Sequence, residues 1–126
     1  ALEDPTYPEM GRAWNNVAFA AFQQGKLDVA DEAYREVLGP SPEFCPAWFG
    51  LAQVAETRDV LDAALEHFRV AAECASGDLH YRYEYGRVLN LLGHLDEARD
   101  VLQAVVDSTP DASLRARAED LLSTLP

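Results

Sequence analysis

The chain has 126 residues, 48% of them hydrophobic, which suffices for one domain with a real core and argues against wholesale disorder. Its formal net charge of -12 argues against a nucleic-acid partner or docking on anionic lipid, since both require basic patches. The longest apolar runs are too short to cross a bilayer, and no charged-then-apolar leader opens the sequence. We therefore expect no membrane insertion and a cytoplasmic location. The alternative is an exported or periplasmic domain whose leader or anchor is missing from this sequence.

The first two helices are predicted from apolar or small side chains that recur at helical spacing. After a lead-in over residues 1–9, the first helix should cover residues 8–24. Gly25 can take the left-handed conformation that ends a helix, and the second helix should cover residues 27–38.

Further helices follow from the same spacing, and the turn at Arg58-Asp59 lacks the glycine found in the other two hairpin turns. Ser41 and Pro42 have the residue types that cap and open a helix. The remaining helices are predicted at residues 42–57, 60–75, 78–92, 95–107 and 110–125.

The same pattern returns every 34 residues without insertion or loss. A fixed period of this length is typical of stacked helical hairpins. Three positions are identical in all copies: Leu27, Leu61 and Leu95; Asp28, Asp62 and Asp96; Ala30, Ala64 and Ala98.

This pattern resembles the tetratricopeptide repeat family, whose repeat has aromatic, small and proline residues at set places. The first copy offers Trp14, Ala18, Gly25, Ala30, Tyr34 and Pro42; the second Trp48, Ala52, Ala64 and Phe68; the third Gly86, Gly93, Ala98, Leu102 and Pro110. The resemblance implies an all-α, right-handed α-solenoid of three antiparallel hairpins that forms one domain. Its units would be residues 11–44, 45–78 and 79–112, and a seventh helix over residues 110–125 would cap the stack.

Packing explains the residue types in this pattern. Small residues such as Ala18, Ala52 and Gly86 let the two helices of a hairpin approach closely, and large residues such as Tyr34 fill the gap to the next hairpin. Arg82 departs from the pattern because the other copies have tryptophan at that place. We expect the neighbouring Tyr81 and Tyr85 to supply the missing volume.

In this family the first helix of each hairpin lines a concave groove, and the second helices form the outer face. Counted onto this chain, the resemblance places one set of residues in that groove, called the groove set below. Its members are Arg12, Asn15, Asn16, Phe19, Phe22 and Gln23; Pro46, Phe49, Gly50, Gln53, Glu56 and Thr57; His80, Tyr83, Glu84, Arg87, Asn90 and Leu91.

Two features of the groove set favour peptide binding. Its charges nearly balance, since most acidic residues lie outside it, 11 of the 22 on the second helices. Phe19, Phe22, Phe49 and Tyr83 are aromatic residues that the core pattern does not require, and such residues often anchor a bound segment. The alternative is that Phe19 and Phe22 pack against residues 2–7.

We interpret the chain as a protein-interaction module that binds a peptide or helix segment of another protein, as an adaptor or assembly factor. Two alternatives are a dedicated chaperone for a secreted or membrane-targeted client and a self-assembling scaffold, which would make the chain a homo-oligomer. Some family members grip a chaperone's C-terminal carboxylate with a Lys, Asn, Asn, Lys, Arg set. The matching positions here are Asn15, Phe19, Gly50, His80 and Glu84, and none has the required type.

No pattern predicts an enzyme, a cofactor or a metal site. His67, His80 and His94 fall on different elements without a helical ligand pair, and we expect His67 and His94 at the surface. No nucleophile motif, phosphate loop or dinucleotide fingerprint is present.

Cys45 and Cys74 have no metal-ligand spacing. A hairpin would bring them near each other, because one starts a helix and the other ends its antiparallel partner. We expect two free, partly buried thiols, with a disulfide as the alternative.

Overall fold

The computed structural model describes residues 7–126, with side chains from Glu9 onward, so most of the predicted lead-in lies outside it. All regular structure within that range is helical. The helices are α1 (Tyr7–Gln23), α2 (Leu27–Leu38), α3 (Cys45–Thr57), α4 (Leu61–Cys74), α5 (Leu79–Leu91), α6 (Leu95–Ser108) and α7 (Ala112–Ser123).

Helices that follow each other along the chain also pack against each other. The pairs α1–α2, α3–α4 and α5–α6 form three hairpins, which stack through α2 on α3 and α4 on α5, while α7 packs on α6. The predicted all-α, right-handed solenoid of three antiparallel hairpins with a seventh helix is confirmed.

The three hairpin turns share one backbone conformation despite the difference in sequence. Gly25 and Gly93 have φ values of 77° and 83°, and Asp59 takes a φ of 60° at the matching place in the turn without glycine. Aspartate is among the residues that tolerate this left-handed conformation best, so the second turn stays short.

The start of α3 differs from the prediction. Instead of capping a helix that starts at Pro42, Ser41 is buried, and its carbonyl oxygen accepts a hydrogen bond from the backbone N–H of Phe44. The carbonyl oxygen of Pro42 accepts a hydrogen bond of 2.7 Å from the indole N–H of Trp48. These two bonds hold residues 41–44 in a turn, and α3 begins three residues late, at Cys45.

The first and second hairpins approach each other closely where Tyr34 meets Gly50. A Cβ atom on Gly50 would lie 2.1 Å from Cζ of the Tyr34 ring, so only glycine leaves room for the ring. Tyr34 is 2% exposed, and this burial raises the pKa of its hydroxyl to about 12. Gly50 is therefore a packing position under Tyr34 and does not belong to an open groove.

Within the third hairpin, Gly86 also permits a close approach, although a less extreme one. A Cβ atom there would lie 2.9 Å from Leu102 and 3.1 Å from Val101, both on α6. This agrees with the predicted role of the small residue on α5.

The first hairpin exposes large apolar side chains around Trp14. Trp14 is 48% exposed, and Met10, Val17 and Val29 are exposed to a similar degree. The matching tryptophan of the next unit, Trp48, is partly buried against the core that Tyr34 and its neighbours form. Trp14 is exposed because no described hairpin precedes α1.

Cys45 and Cys74 form a disulfide, with their Cα atoms 5.6 Å apart. The expectation of two free thiols is therefore wrong. The bond joins the first residue of α3 to the last residue of α4, and the antiparallel hairpin brings these two helix ends together.

We predict that Gly50→Ala lowers the free energy of unfolding by about 1–3 kcal/mol, because the new methyl group overlaps the buried Tyr34 ring. Urea denaturation measures the change. Gly11→Ala is the matched control: Gly11 is also helical, and its Cβ atom would meet Val37 at an ordinary 3.9 Å. The control should gain up to about 1 kcal/mol from helix propensity. Equal effects of the two substitutions would contradict the packing described.

We also predict that reduction of the disulfide lowers the free energy of unfolding by about 3–4 kcal/mol, the entropy of closing a loop with a sequence separation of 29 residues. Urea midpoints with and without dithiothreitol measure this loss. A Cys45→Ser, Cys74→Ser double variant is the control and should show no response to the reductant. A wild-type midpoint that also ignores the reductant would exclude a stabilising disulfide.

Candidate functional site

The groove set lies on α1, α3 and α5, the first helices of the three hairpins. Direct contacts between α1 and α3 place these two helices side by side, and α5 likewise contacts α7. The repeat therefore aligns equivalent faces of successive hairpins along one side of the stack.

On α1 the groove set combines one exposed ring with amide groups. Phe19 is 44% exposed, whereas Phe22 is partly buried against the core of the first hairpin pair. Asn15 is partly buried, and its Oδ1 atom receives no hydrogen bond from the described residues. Asn16 and Gln23 are exposed. Residues 2–7, the proposed alternative partners of Phe19 and Phe22, lie outside the part of the chain whose side chains the structure describes.

Three charged groups meet between α3 and α5. The guanidinium of Arg87 donates two hydrogen bonds of 2.7 Å to the carboxylate of Glu56, one to each oxygen. It also donates to Glu84, one turn before it on α5, at 2.7 Å. All three side chains are only 17–27% exposed, so solvent screens this cluster less than a surface ion pair.

The cluster carries one negative charge overall, since two carboxylates surround one guanidinium. The hydrogen bonds to Glu56, followed by those to Glu84, raise the pKa of Arg87 further above its usual range, although burial opposes this change. Arg87 remains charged and committed to these two partners at any pH the protein meets. It is therefore not free to bind an anion.

Phe49 lies between the second and third hairpins. Its ring stacks on Tyr81 with centroids 4.4 Å apart and meets Phe68 edge-on at 5.3 Å. The ring of His80 lies further away, at 6.3 Å. Phe49 is partly buried by these contacts, so its ring supports the stack and offers only its remaining surface to a partner.

The structure places Tyr83 in the core rather than in an open groove. Only 7% exposed, it packs in a cluster with Leu102, Val105 and Leu114. Burial, as the main cause, raises the pKa of its hydroxyl. The guanidinium of Arg117 lies over the ring, 5.2 Å from its centroid. The capping helix α7 therefore covers this residue, a contact that the 34-residue pattern does not show.

The other members of the groove set are more exposed to solvent, and fewer contacts join them. His80 and Leu91 are exposed, and Gln53 and Asn90 are partly exposed. Among the described residues, no hydrogen bond, ion pair or ring contact joins the α1 members of the set to those on α3 and α5. The site is therefore a strip along three helices, without a central cluster.

Two residues that bear on this strip were not among its predicted members. Tyr81 stacks on Phe49, and its position one residue before Arg82 gave no signal of that contact. His67, expected at the surface, instead lies against Trp48 with ring centroids 5.8 Å apart, and burial lowers its pKa. Both contacts join different helices, so a pattern within one helix does not reveal them.

Eleven of the 22 acidic residues lie on the second helices α2, α4 and α6 rather than on the helices of the groove set. A cleft of about 490 Å³ beside α2 is lined by Asp28, Asp31, Glu32 and Glu36, together with Arg35 and Arg58. Over residues 7–126, the His, Cys, Asp and Glu side chains form no group of three placed to hold a metal. None of the helices in that range is both long and apolar enough to cross a membrane.

Comparison with known proteins agrees with this architecture. A tetratricopeptide repeat family model matches residues 20–78. None of the curated proteins matches the sequence significantly.

Three solved structures illustrate the likeness in fold. The type III secretion chaperone SycD of Yersinia enterocolitica, in complex with a peptide of the translocator YopD, has 18% identity and a TM-score of 0.81, covering 91% of each chain. The first such repeat domain of Spaghetti (RPAP3), bound to an HSP90 peptide, has 15% identity and a TM-score of 0.78, covering 90% of this chain and 93% of that one. An O-GlcNAc transferase of Thermobaculum terrenum has 22% identity and a TM-score of 0.78; the match covers 92% of this chain but only 22% of the transferase.

The 34-residue pattern, the three stacked hairpins and the family match over residues 20–78 together show that this chain contains tetratricopeptide repeats.

Proposed function

We propose that the chain is a non-catalytic binding module that holds an extended or helical segment of another protein along the strip on α1, α3 and α5. The observation that carries the proposal is the exposed ring of Phe19, which the packing of the hairpins does not use. A rigid aromatic side chain held on a helix is a typical anchor for a bound segment. Two of the similar structures hold peptides, which supports this mode of binding for the fold.

Amide side chains flank this anchor. Asn15, Asn16 and Gln23 lie on the same helix, and each amide can donate and accept hydrogen bonds. The backbone of a bound segment also needs both donors and acceptors, which these side chains supply without requiring a particular sequence. Specificity would then come from the side chains that meet Phe19.

The charge of the strip indicates the chemistry of the segment. The cluster of Glu56, Glu84 and Arg87 has a net charge of -1, so it favours a lysine or arginine in the partner. A C-terminal carboxylate placed at this cluster would meet acidic groups, because Arg87 is already bound to both of them and the other cation of the groove set, Arg12, lies on α1. We therefore expect an internal segment with an apolar anchor and a nearby basic residue.

The chaperone alternative has a specific observation in its favour. SycD matches this chain over 91% of both lengths, and its structure contains a peptide of the protein it serves. A dedicated chaperone would shield an apolar client segment in the same strip. Purification from the native source would then yield one client at equal stoichiometry, whereas an adaptor would exchange several partners.

Self-assembly has a different surface available. Exposed apolar side chains surround Trp14 and Val17 on the first hairpin, but the adjoining cleft is also lined by Glu32 and Glu36. Two copies meeting face to face there would bring these carboxylates together, which disfavours a symmetric dimer. A mass in solution that rises with concentration would nevertheless favour the scaffold hypothesis.

The disulfide is relevant to the compartment in which the protein functions. Disulfides persist in oxidising compartments and are rare in the cytosol. The bond between Cys45 and Cys74 therefore supports the alternative location, an exported or periplasmic protein, over the cytoplasm.

We predict that Cys45 and Cys74 resist alkylation in protein taken directly from its native source. Maleimide labelling of freshly lysed cells, followed by mass spectrometry, should modify neither cysteine until a reductant is added. Labelling of both cysteines without reductant would instead indicate a reducing compartment.

We predict that Phe19→Ala weakens partner binding about tenfold or more, as truncation of an anchor does, while the free energy of unfolding changes by less than about 1 kcal/mol. A pull-down from the native source, quantified beside urea denaturation, measures both effects. Val29→Ala is the matched control, since Val29 is 50% exposed but lies on α2, and it should leave binding unchanged. Phe49→Ala should lower stability as well as binding, because its ring packs on Phe68 and Tyr81. Full retention of the partner by Phe19→Ala would move the site away from the strip.

A further inference from the structure

The third hairpin lacks the tryptophan that its position in the repeat calls for. We propose that the cleft left at Arg82 is a second binding site, which receives an exposed aromatic side chain of indole size from another protein. This site is separate from the strip on α1, α3 and α5 and shares no residue with the groove set.

The second hairpin shows what the site would normally hold. Trp48 packs beside the core of the first hairpin pair, meets the ring of His67 at 5.8 Å and donates its indole N–H to the carbonyl oxygen of Pro42. Moved on by one repeat, these three positions are Arg82, Val101 and Ser76.

In the third hairpin the same three residues surround open space. Arg82, Val101 and Ser76 all line a cleft of about 510 Å³ between α4, α5 and α6. Ala72 and Ala104 line it too, so one part of its wall is small and apolar, while Arg69, Glu73 and Asp100 line it with charged groups. The cleft therefore occupies the place where Trp48 lies one repeat earlier, and its volume is in the range of small-ligand sites.

The neighbouring tyrosines do not fill this space, contrary to our expectation from the sequence. Tyr81 stacks on Phe49 instead. Tyr85 lines the cleft, but its hydroxyl donates a 2.7 Å hydrogen bond to Glu97 on α6, which ties the ring to one side.

Arg82 indicates which side chain the cleft would select. It is partly buried, and its guanidinium forms no hydrogen bond or ion pair with the residues that the structure describes. The other arginine at the cleft, Arg69, is already bound to Glu66 and Glu73. A flat, unpaired guanidinium beside an apolar wall stacks favourably on an aromatic face, indole best of all. The cleft thus combines the shape of a tryptophan site with a group that attracts aromatic rings.

N-acetyl-tryptophanamide is a suitable probe, because it carries an indole ring without a charge. We expect it to shift the amide resonances of Ala72, Val101 and Ala104 in ¹H–¹⁵N spectra, with a Kd on the order of 1 mM. N-acetyl-leucinamide should bind more weakly. Arg82→Gln should weaken binding of the indole probe about threefold, by loss of the cation–π contact. No shift of these resonances at 10-fold the expected Kd (about 10 mM) would overturn the proposal.

Arg82→Trp is the decisive variant, because it restores the residue that the repeat calls for. It should raise Tm by about 3–5 °C by filling the cleft, and it should abolish the shifts caused by the probe. Persistence of those shifts would overturn the proposal.

A second blocking variant does not alter Arg82. Ala104→Phe places a ring at the exposed edge of the cleft and should also remove the shifts, while Ala116→Phe, on the exposed face of α7, is its control. Equal binding of the probe by both variants would contradict the site. Phe19→Ala should leave the shifts unchanged, so this test and the test of the strip fail or succeed independently.

Discussion

The stack depends on the close approach of Tyr34 to Gly50. A helical hairpin cannot bury both of its apolar faces alone, so each hairpin must cover the next. The Tyr34 ring reaches across this gap, and the missing side chain at residue 50 lets α2 lie against α3. Around this contact, Trp48, Leu51 and Val54 join the core of the first hairpin pair. The disulfide then fixes the far ends of the second hairpin, which carries the stack on to α5.

Two places in the stack leave this covering incomplete. On α1, Trp14 has the position of an inter-hairpin residue, and the described residues leave about half of it exposed. At the third hairpin, the preceding hairpin is present but the tryptophan is replaced by Arg82. Trp14 and Arg82 occupy the repeat position of Trp48, which packs between two hairpins. The position that Trp48 fills between two hairpins is therefore accessible to other proteins at Trp14 and at Arg82.

The first and second helices of the hairpins differ in how their acidic residues are placed. The second helices carry 11 of the 22 acidic residues, nearly all of them exposed. On the first helices, Glu56 and Glu84 are instead partly buried and bound to Arg87. The large net charge therefore describes the outer face and its solubility rather than the strip where we propose binding. The charges of the strip balance, with Arg12 and Arg87 against Glu56 and Glu84, but the cluster between α3 and α5 carries one negative charge. Together with the exposed ring of Phe19, this cluster suits an apolar segment with a basic residue.

The 34-residue period was enough to predict the hairpins, their order and the faces that pack, because it places small and large residues in register and each turn contains a residue that tolerates positive φ. The same period showed where the tryptophan is missing. The use of each side chain became clear from the packing of the helices. Tyr83 became a core residue because α7 folds over it, Phe49 stacked on Tyr81 across two hairpins, and Cys45 met Cys74 at the two ends of one hairpin. Each of these contacts joins different helices, and its distance follows from how the helices cross, which periodicity within one helix does not specify.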